Sequence, residues 1–254
     1  MEPARTERQA GRAEATYAVL VGLFMVTLVL TNVVGTKLFE LRLGALGEAL
    51  GVGPTVTLTS GILTYPITFL LTDLVAEVWG RHRANLMVWA GFGASLLMLG
   101  IVKLAVALPP AGIWTQPAYG LDDAAAMQNA FQATFAAPGL LLFASMSAYL
   151  VAQLLDVRLY HFWWRVTGGR HMWLRNNGST WLSQLVDTAI VNSIFLRGFF
   201  GFEWSVILAI VWANYLVKLA LAVVDTPLLY AARIAMERWL GIEHDPERSH
   251  APLG

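Results

Sequence analysis

The chain has 254 residues, 57% hydrophobic and 13% charged, with a formal net charge of zero and no cysteine. So few charges exclude an ordinary soluble domain, in which roughly 25% of residues are charged. The absent thiols exclude disulfides and Cys-ligated metals, and no basic tract of the kind that binds nucleic acid is present.

The apolar residues come in blocks of about 20, the length that crosses a hydrocarbon core. The expected fold class is therefore an all-α membrane protein, a six-transmembrane-helix bundle in the lipid bilayer without a separate soluble domain. Residues 1–16 read as a polar N-terminus, 17–232 as the transmembrane domain and 233–254 as a polar, unpatterned tail. The first span is Tyr17 to Phe39. It is longer than a signal-peptide core and lacks a small-x-small cleavage site, so it reads as a span rather than a leader. It carries Asn32, with Lys37 near its end.

A Gly-rich connection, Gly44 to Pro54, leads to the second span, about Thr57 to Trp79. Here Asp73 and Glu77 stand four residues apart, on one helical face. The turn Gly80-Arg81-His82-Arg83 starts the third span, Asn85 to Leu108, where the long stem of Lys103 can snorkel to the interface. The long connection, residues 109–137, has no Lys or Arg but holds Asp122 and Asp123. Within it Met127, Phe131 and Phe135 form an apolar stripe, which predicts a short helix on the membrane surface or capping the bundle.

The fourth span, Pro138 to Tyr160, carries Gln153 and Asp156. A basic, Trp-rich connection from His161 to Gly178 precedes the fifth span, Ser179 to Phe200, with Gln184, Asp187 and Asn192. The sixth span, Trp204 to Ala232, carries Asn214, Lys218 and Asp225.

Charge placement orients this arrangement. With a cytoplasmic N-terminus, the cytoplasmic segments hold twelve basic residues (Arg5, Arg8, Arg12, Arg81, Arg83, Arg158, Arg165, Arg170, Arg175, Arg233, Arg238, Arg248) and the outer loops three (Lys37, Arg42, Arg197). This positive-inside bias places both termini in the cytoplasm. VKLAVAL in the third span echoes VKLALAV in the sixth. The echo suggests a 3+3 inverted repeat of the kind found in secondary transporters, against the competing fact that Val, Leu and Ala fill any membrane helix.

The intramembrane polar residues recur at helical spacing. Gln153 and Asp156, and Gln184 and Asp187, are i, i+3; Asn214 and Lys218 are i, i+4. Facing about five such charges to lipid would cost on the order of 12–17 kcal/mol, so they are expected to point inward. Asp187 and Lys218 fall at similar depth and are the expected ion pair. The plainer role is polar glue between helices, and Asp156 and Asp225 sit where they can face headgroups. Carboxylates and amides at mid-membrane suit a polar solute rich in N–H donors, because a carboxylate accepts two parallel N–H bonds from a guanidine-like edge. Tyr65, Phe69, Trp181 and Tyr215 are candidates to stack a planar ring.

Several stretches resemble the queuosine-precursor transporter family, also called the vitamin uptake transporter family. They are TNVVGTKLF (first span), LTYPITFLLTDLVAEVWGRHRA (second), YLVAQLLDVRLYHF (fourth), STWLSQLVDTAIVNSIF (fifth) and NYLVKLALAVVDTPLLY (sixth). The resemblance implies an inner-membrane importer of small deazapurines, 7-cyano-7-deazaguanine and 7-aminomethyl-7-deazaguanine. It places the family's polar positions on Asn32, Asp73, Glu77, Gln153, Asp156, Gln184, Asp187, Asn214, Lys218 and Asp225. The chain departs from the pattern at Gln184, where some members have Asn, and at Asn214-Tyr215, where the pattern reads Asp-Tyr.

No cofactor is implied; buried acids with raised pKa values would permit proton coupling. No nucleotide-binding loop motif is present. ATP drive would need a partner chain, as for the substrate-binding subunit of an energy-coupling-factor importer, and the sequence leaves a homodimer open. An intramembrane aspartyl enzyme using Asp73 and Asp187 is the non-transport alternative. It lacks support from any metal-type His cluster, since His82, His161, His171, His244 and His250 fall in loops and tail. A non-transporting scaffold is the remaining reading.

Overall fold

The computed structural model describes residues 2–167 and 172–241, and within its helices it leaves out some side chains, among them those of Glu77, Arg81, Gln153, Asp156 and Asp225. The elements in order are α1 (Glu2–Val34), β1 (Leu38–Arg42), the short α2 (Ala45–Ala49), β2 (Thr55–Thr59), α3 (Tyr65–Trp79), α4 (Arg81–Ala107), α5 (Ala124–Thr167), α6 (Met172–Phe195) and α7 (Trp204–Leu240). They form two compact units, Met1–Thr31 with Gly61–Met98 and Ala220–Gly254, and Asn32–Ser60 with Leu99–Leu219.

The first unit has a core of Leu20, Phe24, Leu71, Leu74, Val75, Ala84 and Met87, flanked by Tyr17, Trp79, Leu229 and Met236. Helices α1 and α4 approach closely at Gly91, where an added Cβ would stand 2.6 Å from Phe24 Cε1 and 2.8 Å from Leu28 Cδ2. Small residues at such crossings let backbones close up where the hydrophobic effect does not drive helix association. Gly80 ends α3 with φ 85° and gives its N–H to Ala76 O at 3.0 Å. That left-handed backbone is available to glycine without steric cost and turns the chain directly into α4. Beside this turn Arg83 makes a two-pronged ion pair with Glu14, both bonds 2.7 Å. The Tyr17 hydroxyl donates to Arg83 O at 2.9 Å.

In the second unit α5 and α6 pack together around Leu141, Ala144, Phe195 and Leu196, with Ile207, Ile210 and Val211 of α7 in the same cluster. Strands β1 and β2 pair antiparallel, in register Leu38↔Thr59 through Arg42↔Thr55. One face of this hairpin buries Val56 and Leu58 against Ala213, with Phe39, Leu43, Val52 and Val217 around them.

Several of the expected boundaries are corrected. The first span ends at Val34, and the residues read as its end and as the Gly-rich connection build the hairpin. The second span's expected start, Thr57, lies in β2, and α3 begins only at Tyr65. TVTLT alternates with period two and follows a Gly- and Pro-rich stretch, which is strand patterning. The expected surface helix is the first part of α5 and runs unbroken through Pro138. Its start is capped by Asp123, whose Oδ1 accepts the Ala126 N–H at 2.7 Å. Finally, α7 continues to Leu240, so the tail is helical over residues 233–240. The N-terminal polar segment is likewise helical from Glu2.

Among the described residues, four helical segments are long and apolar enough to cross a membrane: Ala10–Val34, His82–Ala107, Ala124–Tyr149 and Trp204–Leu221. Tyr65–Ala76 is a shorter apolar helix. It is short because the hairpin and a 3-10 turn take the residues before it.

Candidate functional site

The second unit contains the densest described polar set, on α6 and α7. Lys218 Nζ donates to Asp187 Oδ2 at 3.1 Å, the pair expected from the sequence. Their side chains are 15% and 22% exposed, so the pair is shielded but still reachable by a ligand. The phenol of Tyr215 donates to Trp181 O at 3.2 Å, a second tie between the same helices. Trp181 as a residue is 45% exposed. Gln184, half-buried, lies one turn before Asp187 on α6, and its main-chain carbonyl accepts the Thr188 hydroxyl at 2.8 Å. One turn further on, buried Asn192 donates to Thr188 O at 2.8 Å.

Asn214 sits one turn before Lys218 on α7 and is buried. Its Nδ2 donates to Ile210 O at 2.8 Å, and its Oδ1 accepts a long bond of 3.4 Å from the Thr59 hydroxyl of β2. With Nδ2 held by a carbonyl, the carboxamide orientation is set, and Oδ1 is aimed at the hairpin. Sequence reading missed Thr59 because it counted that residue within a helix. The period-two pattern of residues 55–59 is the signal that would have found it. Asn32, near the end of α1, is buried. Gln153 and Asp156 lie on α5, with side chains outside the described set.

In the first unit Asp73 is exposed on α3. Glu77, one turn on, and Asp225 on α7 lie outside the described side chains. Tyr65 and Phe69 pack one turn apart, ring centres 4.1 Å apart and planes tilted by 34°. Lys103, the echo of Lys218, belongs to the second unit and is exposed on α4.

Chemically, the α6–α7 set offers a carboxylate acceptor, an ammonium donor, a side-chain amide and an indole within a few turns of helix. Such groups have the chemistry to hydrogen-bond and stack a planar polar solute. Among the described residues no group of three or more His, Cys, Asp or Glu is placed to hold a metal ion.

Residues 59–232 match the family model described as "Putative vitamin uptake transporter". The chain is 31% identical over 179 residues to the "Probable queuosine precursor transporter" of Bacillus subtilis (strain 168), covering 70% of this chain and 72% of that protein. It is 29% identical over 130 residues to the "Queuosine precursor transporter" of Escherichia coli (strain K12), covering 51% of each. No solved structure matches. The matched region runs from β2 to α7 and contains nine of the ten polar positions set out above, Asn32 being the exception. The chain is a multi-pass membrane protein and belongs to the vitamin uptake transporter family.

Proposed function

We propose that this protein is an importer of queuosine precursors, 7-cyano-7-deazaguanine or 7-aminomethyl-7-deazaguanine, across the inner membrane. It works by alternating access, through six spans with both termini cytoplasmic, and does no catalysis of its own. The single observation that supports this best is the partly buried Asp187–Lys218 pair inside the family-matched region. A carboxylate held by one ammonium keeps acceptor capacity for the N–H donors of a guanine-like edge. Gln153, Asp156, Gln184, Asn214 and Asn32 of the second unit supply the remaining polar contacts on this reading; Asp73, Glu77 and Asp225 are polar positions of the first unit. The relatives' names carry the substrate class.

The test is binding of 7-cyano-7-deazaguanine to the purified protein by calorimetry, with adenine and guanine as controls. Saturable binding by the wild type, lost in a folded Asp187→Asn variant, is expected. A wild type that ignores the deazapurine overturns the substrate assignment. Proton coupling is checked in whole cells, where uptake is expected to fall when the proton gradient is collapsed. Unchanged uptake would remove the proton from the cycle.

A further inference from the structure

The hairpin lies beside a segment of α7 that is apolar enough to cross a membrane, Trp204–Leu221. Its buried face packs on Ala213 and Val217, nine and thirteen residues beyond Trp204. At 1.5 Å per residue these contacts are roughly 14 and 20 Å along the helix, well inside a hydrocarbon layer about 30 Å thick. Non-helical backbone at that depth persists only where protein buries it or where it lines a wet cavity.

The register says which backbone groups need satisfying. Ser60 N–H bonds Lys37 O, and Leu43 N–H bonds Pro54 O, both at 2.9 Å. Both pairs continue the β1–β2 register. Hydrogen-bonded and non-hydrogen-bonded pairs alternate along an antiparallel ladder. Phe39–Leu58 and Leu41–Val56 are therefore the bonded pairs. Thr55, Thr57 and Thr59 are the unbonded positions, and their main-chain N–H and C=O groups point away from β1. The Thr59 C=O is taken up by the 3-10 turn that begins at Ser60. Among the described residues no turn or loop main-chain group pairs with the outward N–H and C=O of Thr57 or the N–H of Thr59. Thr57 as a residue is half-buried. Thr59 reaches Asn214, one turn from the Lys218–Asp187 pair.

We infer that the outer edge of β2 at Thr57 and Thr59 is part of the substrate site, reading a planar heterocycle by main-chain hydrogen bonds beside Asp187 and Lys218. The N–H and C=O of one edge residue offer a donor and an acceptor side by side, the complement of a lactam or amidine edge. Side chains contribute little to such reading, so the strand can present small Thr residues. The inference rests on the import reading above and specifies where the base lies.

Thr57→Pro is the discriminating variant. Proline removes the outward N–H alone, and it is tolerated at an outward-facing position of an edge strand. Affinity for 7-cyano-7-deazaguanine is expected to fall roughly tenfold, the loss of one hydrogen bond, with an unchanged melting temperature. Thr57→Val keeps the main chain and removes only the hydroxyl, so it is expected to lose less affinity than Thr57→Pro; an equal loss in both would overturn the main-chain reading. Hydrogen exchange on the wild type decides the matter even if the proline variant does not fold. Saturating ligand is expected to slow exchange of the Thr57 and Thr59 amides, relative to the bonded Leu58 amide. Wild-type binding with no protection at these amides overturns the inference and leaves the import reading standing. A wild type that binds no deazapurine overturns both.

Discussion

Lys218 Nζ and Asp187 Oδ2, 31 residues apart in the chain, meet at 3.1 Å between α7 and α6. The pair solves the cost of carrying two opposite charges on apolar helices, because each partner supplies the other's countercharge. Removing one partner leaves the other uncompensated, whereas removing both does not. Lys218→Met is therefore expected to lower stability by about 1–3 kcal/mol, and Asp187→Asn with Lys218→Met by less than the sum of the singles. Detergent melts of the four proteins check this. Strict additivity would show that the two charges do not interact.

The Arg83–Glu14 pair is two-pronged and shorter, yet its side chains are 35% and 59% exposed. Water and salt screen it, which offsets much of what the two-pronged geometry gains. Glu14→Gln is expected to shift the melting temperature less than Lys218→Met does, and its small effect is expected to vanish at 0.5 M salt, estimated from a Debye length of about 4 Å there. A salt-independent loss larger than that of Lys218→Met would contradict this.

Gly91 has room for hydrogen and little else, with Phe24 and Leu28 standing in the space of a Cβ. Gly91→Val is expected to cost about 1–3 kcal/mol by overpacking the α1–α4 crossing. Gly93, whose Cβ would meet nothing within 4 Å, is the control. Gly93→Ala is expected to be neutral or slightly stabilising, since alanine is the better helix former. Melting both variants side by side separates crowding from helix propensity.

The Thr59–Asn214 bond is long at 3.4 Å, so its direct worth is at the low end, about 0.5 kcal/mol. Thr59→Val is expected to lose little stability, and Thr59→Ser to behave as wild type. If the hydroxyl matters for seating the hairpin at the site, Thr59→Val lowers binding while Thr59→Ser restores it. Equal binding by both variants would confine Thr59 to packing and its main chain.

Much of this was legible in one dimension. Blocks of about 20 apolar residues announce a membrane protein because the bilayer sets the length. The i, i+3 and i, i+4 spacing of Gln184, Asp187, Asn214 and Lys218 puts each set on one helical face, because 3.6 residues make a turn. The Asp187–Lys218 pair followed from that spacing, from matched depth and from the cost of unpaired charge in lipid. What the sequence could not settle is where regular structure changes type. The expected second span, Thr57 to Trp79, reads as one membrane-length run, but β2, a 3-10 turn and α3 divide it. The period-two pattern of residues 55–59 signals a strand, but a five-residue strand is fixed only by pairing with β1 and packing on Ala213. The same long-range contacts bring Thr59 to Asn214, 155 residues away. Periodicity along a chain reports which face of an element is polar. Only tertiary packing determines which other element that face meets.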